Sequence, residues 1–134
     1  MMSAIRPVLL LAASLLAAQL GADVYAQDST TRTELKRADL IGAPGMEVIS
    51  SIIEIKPGNE APKHLHHGVE SGYVLQGTMI QTPGKEPVML ETGTPILNLR
   101  DVPHAGFKVV GDKSLKLFTV HVVDKDKPLY DYVK

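Results

Sequence analysis

The stretch PGNEAPKHLHHGVESGYVLQG, residues 57–77, decides how this sequence is interpreted. Three histidines and a glutamate, His64, His66, His67 and Glu70, lie within seven residues of this stretch, in a chain with five histidines in all. On a β-strand, side chains two positions apart share a face, so His64 and His66 point the same way and His67 points away from them. A carboxylate on the following strand can then meet both imidazoles. Two imidazoles and one carboxylate suit a first-row divalent metal ion.

A fourth ligand from another part of the chain would still leave room on the ion for water or substrate. The candidate is His104 in the segment DVPHAG, where the preceding proline and turn fix the approach of the imidazole. His67 is interpreted as an exposed residue or as one that supports a ligand, because it lies on the other face of the strand. The sequence thus predicts a metal site formed by His64, His66, Glu70 and His104.

The chain beyond residue 40 consists of short apolar segments separated by turn signals. These segments are MEVISSIIEIKPG, GYVLQGTMIQTPGKEPVML, TPILNLRDVPHAGFKVV and SLKLFTVHVVDKDKP. None has a sustained helical period with caps, and short strands with turns about 8–12 residues apart predict an all-β sandwich or barrel. With two phenylalanines and no tryptophan the core is aliphatic. A barrel lined by Ile, Val and Leu leaves space for a small ligand in its mouth.

The last strand segment, SLKLFTVHVVD, carries a histidine on its inward face. If Lys116 points outward, the inward face holds Leu115, Leu117, Thr119 and His121. An inward histidine among aliphatic side chains needs a hydrogen-bond partner. Two interpretations stay open: His121 supports a ligand or acts as a general base near the metal, or it is a buried histidine satisfied by the backbone or by Thr119. The second is favoured, because a single inward polar residue does not by itself indicate function.

Two further residues, Tyr73 and Phe107, each have a functional and a structural interpretation. Asn98 and the C-terminal tail have only a structural one. Tyr73 orients a bound ligand through its hydroxyl, or packs into the core with a wet tip. Phe107, close after His104 in the sequence, is a wall of the ligand pocket or an ordinary core residue. Asn98 is a polar strand residue expected to face solvent, and the mixed charges of the tail DKDKPLYDY predict a solvated terminus. His121 and Tyr73 are therefore the two catalytic candidates.

The first residues have the pattern of a secretory signal peptide. A single positive side chain, Arg6, precedes the apolar run VLLLAASLLAA, and the small residues Val24 and Ala26 occupy the positions that a signal peptidase recognises. The apolar run is shorter than the roughly 20 residues that span a bilayer. We therefore expect cleavage after Ala26, signal peptide 1–26, and a periplasmic or secreted protein. The alternative is an uncleaved anchor or a buried N-terminal helix.

Composition narrows the remaining classes of function. The net charge is −1 and there is no basic run, so the sequence offers no electrostatic surface for nucleic acid or, after cleavage of the signal peptide, for a membrane. There is no cysteine, so neither a disulfide nor a thiolate ligand is available. The polar residues 27–45 predict a flexible lead-in or an edge segment. Residues 46–134 then form a single barrel domain.

The spacing of glycines, histidines and glutamate from Gly58 to Gly77 resembles the first conserved motif of the cupins, at every constrained position. The second cupin motif is present only in part. Gly93 and His104 fit it, but Leu99–Asp101 stands where Pro-x-Gly is usual, and Lys108 stands where asparagine is usual. The sequence is most similar to the small single-domain cupins that many bacteria export.

This resemblance implies a single cupin jelly-roll barrel (a double-stranded β-helix). It also implies one divalent transition metal ion, which is Mn, Ni, Zn, Cu or Fe, held by His64, His66, Glu70 and His104. Similar cupins are dioxygenases, decarboxylases, isomerases and lyases, and dioxygenase-like chemistry on a small organic molecule is favoured. The alternative is a non-catalytic barrel that binds a small ligand or a metal, and a homodimer is compatible with either. A roomy, largely apolar cavity beside the ligands would favour the enzyme.

Overall fold

The computed structural model describes residues 30–134, and the predicted signal peptide lies outside this range. All helical or strand structure within it is β-strand. The strands are β1 (Thr30–Asp39), β2 (Met46–Ile55), β3 (Glu60–Ala61), β4 (His64–Leu65), β5 (Gly68–Gln76), β6 (Thr78–Gln81), β7 (Val88–Leu90), β8 (Pro95–Asn98), β9 (Phe107–Val109), β10 (Leu115–Asp124) and β11 (Asp131–Tyr132). None of the described residues forms a helix long and apolar enough to cross a membrane. The prediction of an all-β fold is confirmed.

The strands form two larger antiparallel sheets and one short pair. The five-stranded sheet has the order β1-β2-β10-β5-β8, the four-stranded sheet has the order β3-β9-β6-β7, and β11 pairs with β4. The buried aliphatic core draws on both larger sheets, through Ile53, Ile55, Val74 and Leu115 from the first and Ala61 and Val109 from the second. Burying one such large side chain stabilises the fold by about 1.5–3 kcal/mol. The core thus joins the two sheets into one barrel.

Strand β10 alternates as the sequence predicts. Leu115, Thr119 and His121 are buried, and Leu117 packs against the core, whereas Lys116 reaches outward to Glu54. In the same sheet, β10 pairs with β5 so that His121 lies directly opposite Glu70. Because side chains alternate between the two faces of each strand, His121 and Glu70 both point inward and face each other.

The polar lead-in is an edge strand. Strand β1 pairs with β2 from Thr30, opposite Ile55, to Asp39, opposite Glu47, with an irregularity between Glu34 and Lys36. An exposed, charged strand of this kind is suited to the edge of a sheet, where it discourages pairing with another chain. Of the two expectations for this segment, the structure shows the edge strand.

A close backbone approach at Gly68 sets the position of β5. A Cβ atom there would lie 2.1 Å from the carbonyl oxygen of Val122 and 2.6 Å from the Cα atom of Val123, both on β10. No side chain fits against backbone at that distance, so glycine is required. The contact lets β5 and β10 lie together at the point where Glu70 and His121 face each other.

Candidate metal centre

Three histidines come together because the His104 loop pairs with the strand that carries His64. The His64 amide donates to the His104 carbonyl at 3.1 Å, and the His104 amide donates back to the His64 carbonyl at 2.8 Å. The ring centroids of His64, His66 and His104 lie 4.5–4.9 Å from one another. The structure thus brings together the three histidines that the sequence predicts as ligands.

Main-chain carbonyls hold these three imidazoles in one orientation. Each Nδ1 donates to a carbonyl: His64 to Pro62 at 2.7 Å, His66 to Leu129 at 2.5 Å and His104 to Val102 at 3.0 Å. Because a carbonyl oxygen only accepts, Nδ1 must carry the proton, which leaves the Nε2 lone pair of a neutral ring free. Metal-binding histidines are commonly fixed in this way, with the second ring nitrogen bound to a carbonyl or carboxylate.

Glu70 lies at the middle of a group of five side chains that we call the cluster: His64, His66, Glu70, His104 and His121. Glu70 is 6% exposed. Its Oε2 is 3.4 Å from Nε2 of His66 and 3.3 Å from Nε2 of His104, and its Oε1 is 3.4 Å from Nε2 of His121. Asn98 donates to Oε2 through its side-chain nitrogen at 2.7 Å. The carboxylate therefore meets histidines through both of its oxygens.

His121 is the residue of this cluster whose role the sequence left open. It is 0% exposed, and neither of its ring nitrogens has a hydrogen-bond partner in the described part of the chain. The hydroxyl of Thr119 is also buried without a partner, so the interpretation that Thr119 satisfies His121 is wrong. Two triads could hold an ion, with ligand atoms within 4.8 Å of one another: His64, His66 and His104, and His66, Glu70 and His121.

The donor set fits a divalent cation. Within the described residues, the buried Nε2 atoms of His66, His104 and His121 have no hydrogen-bond partner, although each lies within 3.4 Å of a Glu70 oxygen. The Nε2 lone pairs of His66 and His104 converge with a carboxylate, so acceptor faces acceptor, which is costly in a buried site. A cation between them removes that cost. Imidazole and carboxylate are the ligands of Zn, Cu, Fe, Ni and Mn.

The charged groups of the cluster point to the same need for a positive charge beside Glu70. Burial alone would raise the pKa of Glu70, but the approach of His104, His121 and His66 outweighs burial and holds it well below its usual range. Burial lowers the pKa of His104, yet the Glu70 carboxylate and the Val102 carbonyl outweigh burial and raise it. A protonated His104 thus places a positive charge beside the Glu70 carboxylate, as a bound metal ion would.

His64 is held neutral by the same surroundings. Burial lowers its pKa to about 4; the Pro62 carbonyl opposes that shift, and the neighbouring His104 and His66 add to it. A neutral imidazole keeps the lone pair that a metal ion requires. At neutral pH His64 can therefore bind an ion without first losing a proton.

A cavity of about 460 Å³ opens beside the cluster. Its walls are mainly aliphatic and aromatic side chains from both sheets: Ile53, Ile55, Ile80, Leu90, Ile96, Phe107, Leu115 and Leu117. The cluster meets it through His64, Glu70 and His104. Phe107 is therefore a wall of the pocket. Asn98 also lines the cavity, so the expectation that it faces solvent is wrong: β8 pairs with β5 and sets Asn98 opposite Glu70.

The C-terminal tail forms part of the site. The prediction of a solvated terminus holds for Lys125–Pro128 and for Asp131 and Tyr132, which are exposed, but not for Leu129 and Tyr130, which are half-buried. Strand β11 pairs with β4 so that Tyr132 lies opposite His64. The ring of Tyr130 lines the cavity, with its centroid 4.9 Å from that of His64 and 5.1 Å from that of His66. The mixed charges of the tail concealed this role. The signal that could have found it is the alternation of Tyr130 and Tyr132 with a charged residue, which is the pattern of a short strand.

Tyr73 and His67, two residues singled out in the sequence, lie outside the cavity. Tyr73 is 48% exposed, because it is three residues after Glu70 on the same strand and so points to the opposite face. The structure does not bring this catalytic candidate to the cluster. His67 also points away, as expected, and its two ring nitrogens lie 2.8 Å from Asp101 and 3.3 Å from Asp131. It connects the His104 loop to the C-terminal tail.

Comparison with known proteins identifies the family. Residues 51–121, more than half of the chain, match the family model described as the cupin domain. The chain belongs to the cupin family. The resemblance predicted from the sequence is confirmed. A search of curated proteins finds no match.

Solved structures show the same fold at low sequence identity. The polyketide cyclase RemF from Streptomyces resistomycificus is 22% identical, with a TM-score of 0.57, over 80% of this chain and 72% of that one. The DMSP lyase DddQ from Ruegeria pomeroyi is 19% identical, with a TM-score of 0.55, over 87% of this cupin and 57% of the lyase. An uncharacterised conserved protein with a double-stranded β-helix domain from Klebsiella pneumoniae is 15% identical, with a TM-score of 0.58, over 81% and 89% of the two chains.

Proposed function

We propose that this cupin binds one divalent transition metal ion and uses it to act on a small organic molecule with an apolar body. The observation that carries the proposal is the position of the cluster, which opens onto a cavity of about 460 Å³ with mainly apolar walls. Cavities of this size that combine an apolar lining with a few converging polar groups are typical of small-molecule sites. A site closed over its ligands would instead have favoured a purely structural ion.

The proposed ligands are His64, His66, Glu70 and His104. His121 faces Oε1 of Glu70, whereas His66 and His104 face Oε2. We therefore assign His121 to orient the carboxylate from behind the site. A bound ion would polarise an oxygen atom of the substrate, and a redox-active ion would also permit reaction with oxygen. The chain itself supplies the apolar wall and the fixed imidazoles, which exclude water and orient the substrate.

Oxygen-dependent chemistry is the reaction class that we propose, following the predicted likeness to cupin dioxygenases. Two structural neighbours are described as a polyketide cyclase and a DMSP lyase, so the fold also occurs in other enzymes. The reaction class therefore needs its own test. We further propose that the protein is exported, on the strength of the predicted signal peptide, and that it acquires its metal outside the cytoplasm.

The test begins with the metal and then turns to oxygen. Elemental analysis of the purified protein is expected to find about one equivalent of a transition metal, lost in both His64→Ala and Glu70→Ala. No uptake by the wild type, after loading with Mn, Fe, Ni, Cu and Zn in turn, would refute the metal-dependent function. Oxygen consumption would then be followed with catechols, flavonols and diketones. Turnover that continues without oxygen would reject the proposed reaction class and favour an isomerase, lyase or decarboxylase.

A further inference from the structure

The C-terminal residues 129–132 lie along one side of the cluster of potential metal ligands. The carbonyl of Leu129 accepts the hydrogen bond from Nδ1 of His66, and β11 pairs with the strand of His64. The Val133 amide then donates to the Lys63 carbonyl at 3.0 Å. These backbone contacts hold the segment on both sides of Tyr130. The position of Tyr130 is therefore fixed before any ligand binds.

The ring of Tyr130 packs against three histidines. Its centroid is 4.9 Å from that of His64, 5.1 Å from that of His66 and 6.1 Å from that of His121. On another side it stacks against Tyr132, with centroids 6.3 Å apart and ring planes at 14°. The ring is thus confined between the cluster and a second aromatic ring.

The hydroxyl of Tyr130 makes no hydrogen bond to any residue that the structure describes. Tyr130 lines the cavity, as do Glu70 and Arg32, whose charges both act on its phenol. A tyrosine in such a half-buried position usually directs its hydroxyl to a partner. If the residue served only to pack against the histidines, phenylalanine would do the same without a polar group to satisfy.

We propose that Tyr130 contacts the substrate and donates a hydrogen bond to an oxygen atom that the substrate presents beside the metal. This inference rests on the proposed function and names the class of ligand more closely. The ligand has an oxygen acceptor, as in a carbonyl, carboxylate or enolate compound, at the end near the cluster. Its apolar part lies along the aliphatic wall formed by residues such as Ile53, Ile96 and Leu117.

Benzohydroxamate is a suitable probe, because it joins two oxygen donors for a metal ion to an apolar ring. The purified protein would be loaded with Co²⁺, and probe binding followed by the change in its visible spectrum. Tyr130→Phe removes only the hydroxyl, and we expect it to weaken the probe about tenfold, the effect of one lost hydrogen bond. Tyr73→Phe is the matched control: it removes the same hydroxyl from the outer face of β5, outside the cavity, and we expect it to bind the probe within about twofold of the wild type. Cobalt content should be equal in all three proteins.

The outcomes separate the inference from the function on which it rests. Wild type that takes up cobalt and binds the probe, with Tyr130→Phe binding equally well, would overturn the role of Tyr130 alone. Equal weakening by Tyr73→Phe, or loss of cobalt from Tyr130→Phe, would do the same, because the effect would then not belong to the hydrogen bond. Wild type that fails to bind cobalt or the probe would overturn the proposed function and this inference with it.

Discussion

Replacing His64 with asparagine should make the metal-free protein less sensitive to acid. In the folded protein the pKa of His64 is about 4, against 6.5 for an ordinary histidine. The unfolded chain therefore binds a proton that the folded chain refuses, so stability falls as the pH drops from 6.5 to 4. Asparagine can still donate to the Pro62 carbonyl but has no proton to gain. The variant should lose this part of the pH dependence.

The expected size follows from the pKa difference. Between pH 6.5 and 5 the wild type should lose about 2 kcal/mol through His64, at about 1.4 kcal/mol for each pKa unit. We reduce this to about 1 kcal/mol, because His64 borders the cavity and water there screens its charge. Stopping at pH 5 keeps Glu70 out of the comparison: its lowered pKa makes its contribution fall only below about pH 4.5. His104, with a raised pKa, contributes stability below pH 6.5 that is lost at higher pH.

Urea denaturation with a chelator present, followed by circular dichroism because the chain has no tryptophan, gives the free energy of unfolding of both proteins at pH 6.5 and 5. The wild type should lose about 1 kcal/mol more than His64→Asn over this interval. Equal losses in the two proteins would show that His64 takes up its proton at an ordinary pH, and the argument that it is held ready for a metal ion would fail.

Other predictions concern the ligands, the barrel, the tail and the leader. Glu70→Gln should weaken metal binding roughly 100-fold by calorimetric titration, and Tyr73→Phe on the outer face should not change it; equal effects would contradict the placement of both residues. Gly68→Ala should lower the free energy of unfolding by about 3 kcal/mol in urea, because its Cβ would meet backbone; a neutral result would contradict the register of β5 and β10. Deleting residues 129–134 should weaken metal binding about 10–100-fold through the lost carbonyl partner of His66, and unchanged affinity would refute that support. N-terminal sequencing of the exported protein should find Gln27 as the first residue. A protein that keeps residues 1–26 would favour the alternative of an uncleaved N-terminal anchor.

Much of the site could be predicted because it depends on the alternation of side chains between the two faces of a strand. His64 and His66 lie two residues apart, and the outward position of Lys116 determines that His121 points inward. This alternation is a property of a single strand and needs no knowledge of its neighbours. Glu70 followed from its place on the next strand and His104 from the turn in DVPHAG, and the family motif supported both. The sequence was therefore sufficient to gather the potential ligands and to predict the barrel around them.

The remaining features depend on which strands pair, and the sequence of one strand does not determine which strand lies beside it. Asn98 looks like a polar surface residue until β8 pairs with β5 and sets it opposite Glu70. Tyr130 belongs to a short, charged tail until β11 pairs with β4. Both pairings join segments far apart in the chain, so their energies come from tertiary contacts rather than from local propensity. The supports of a site are thus harder to predict than its ligands.

The departure from the second cupin motif illustrates how such support can be preserved when its residues change. Where Pro-x-Gly is usual, this chain has Leu99–Asp101, which invites the expectation of a loosened His104 loop. Instead, Asp101 takes the left-handed backbone conformation, with φ of 59°, that glycine adopts most easily and aspartate tolerates better than most residues. Its amide donates to the His66 carbonyl at 2.9 Å, and its side chain meets His67. Aspartate thus fits a turn suited to glycine and ties the loop to the strand of the ligands, so the altered motif still holds His104 against the cluster.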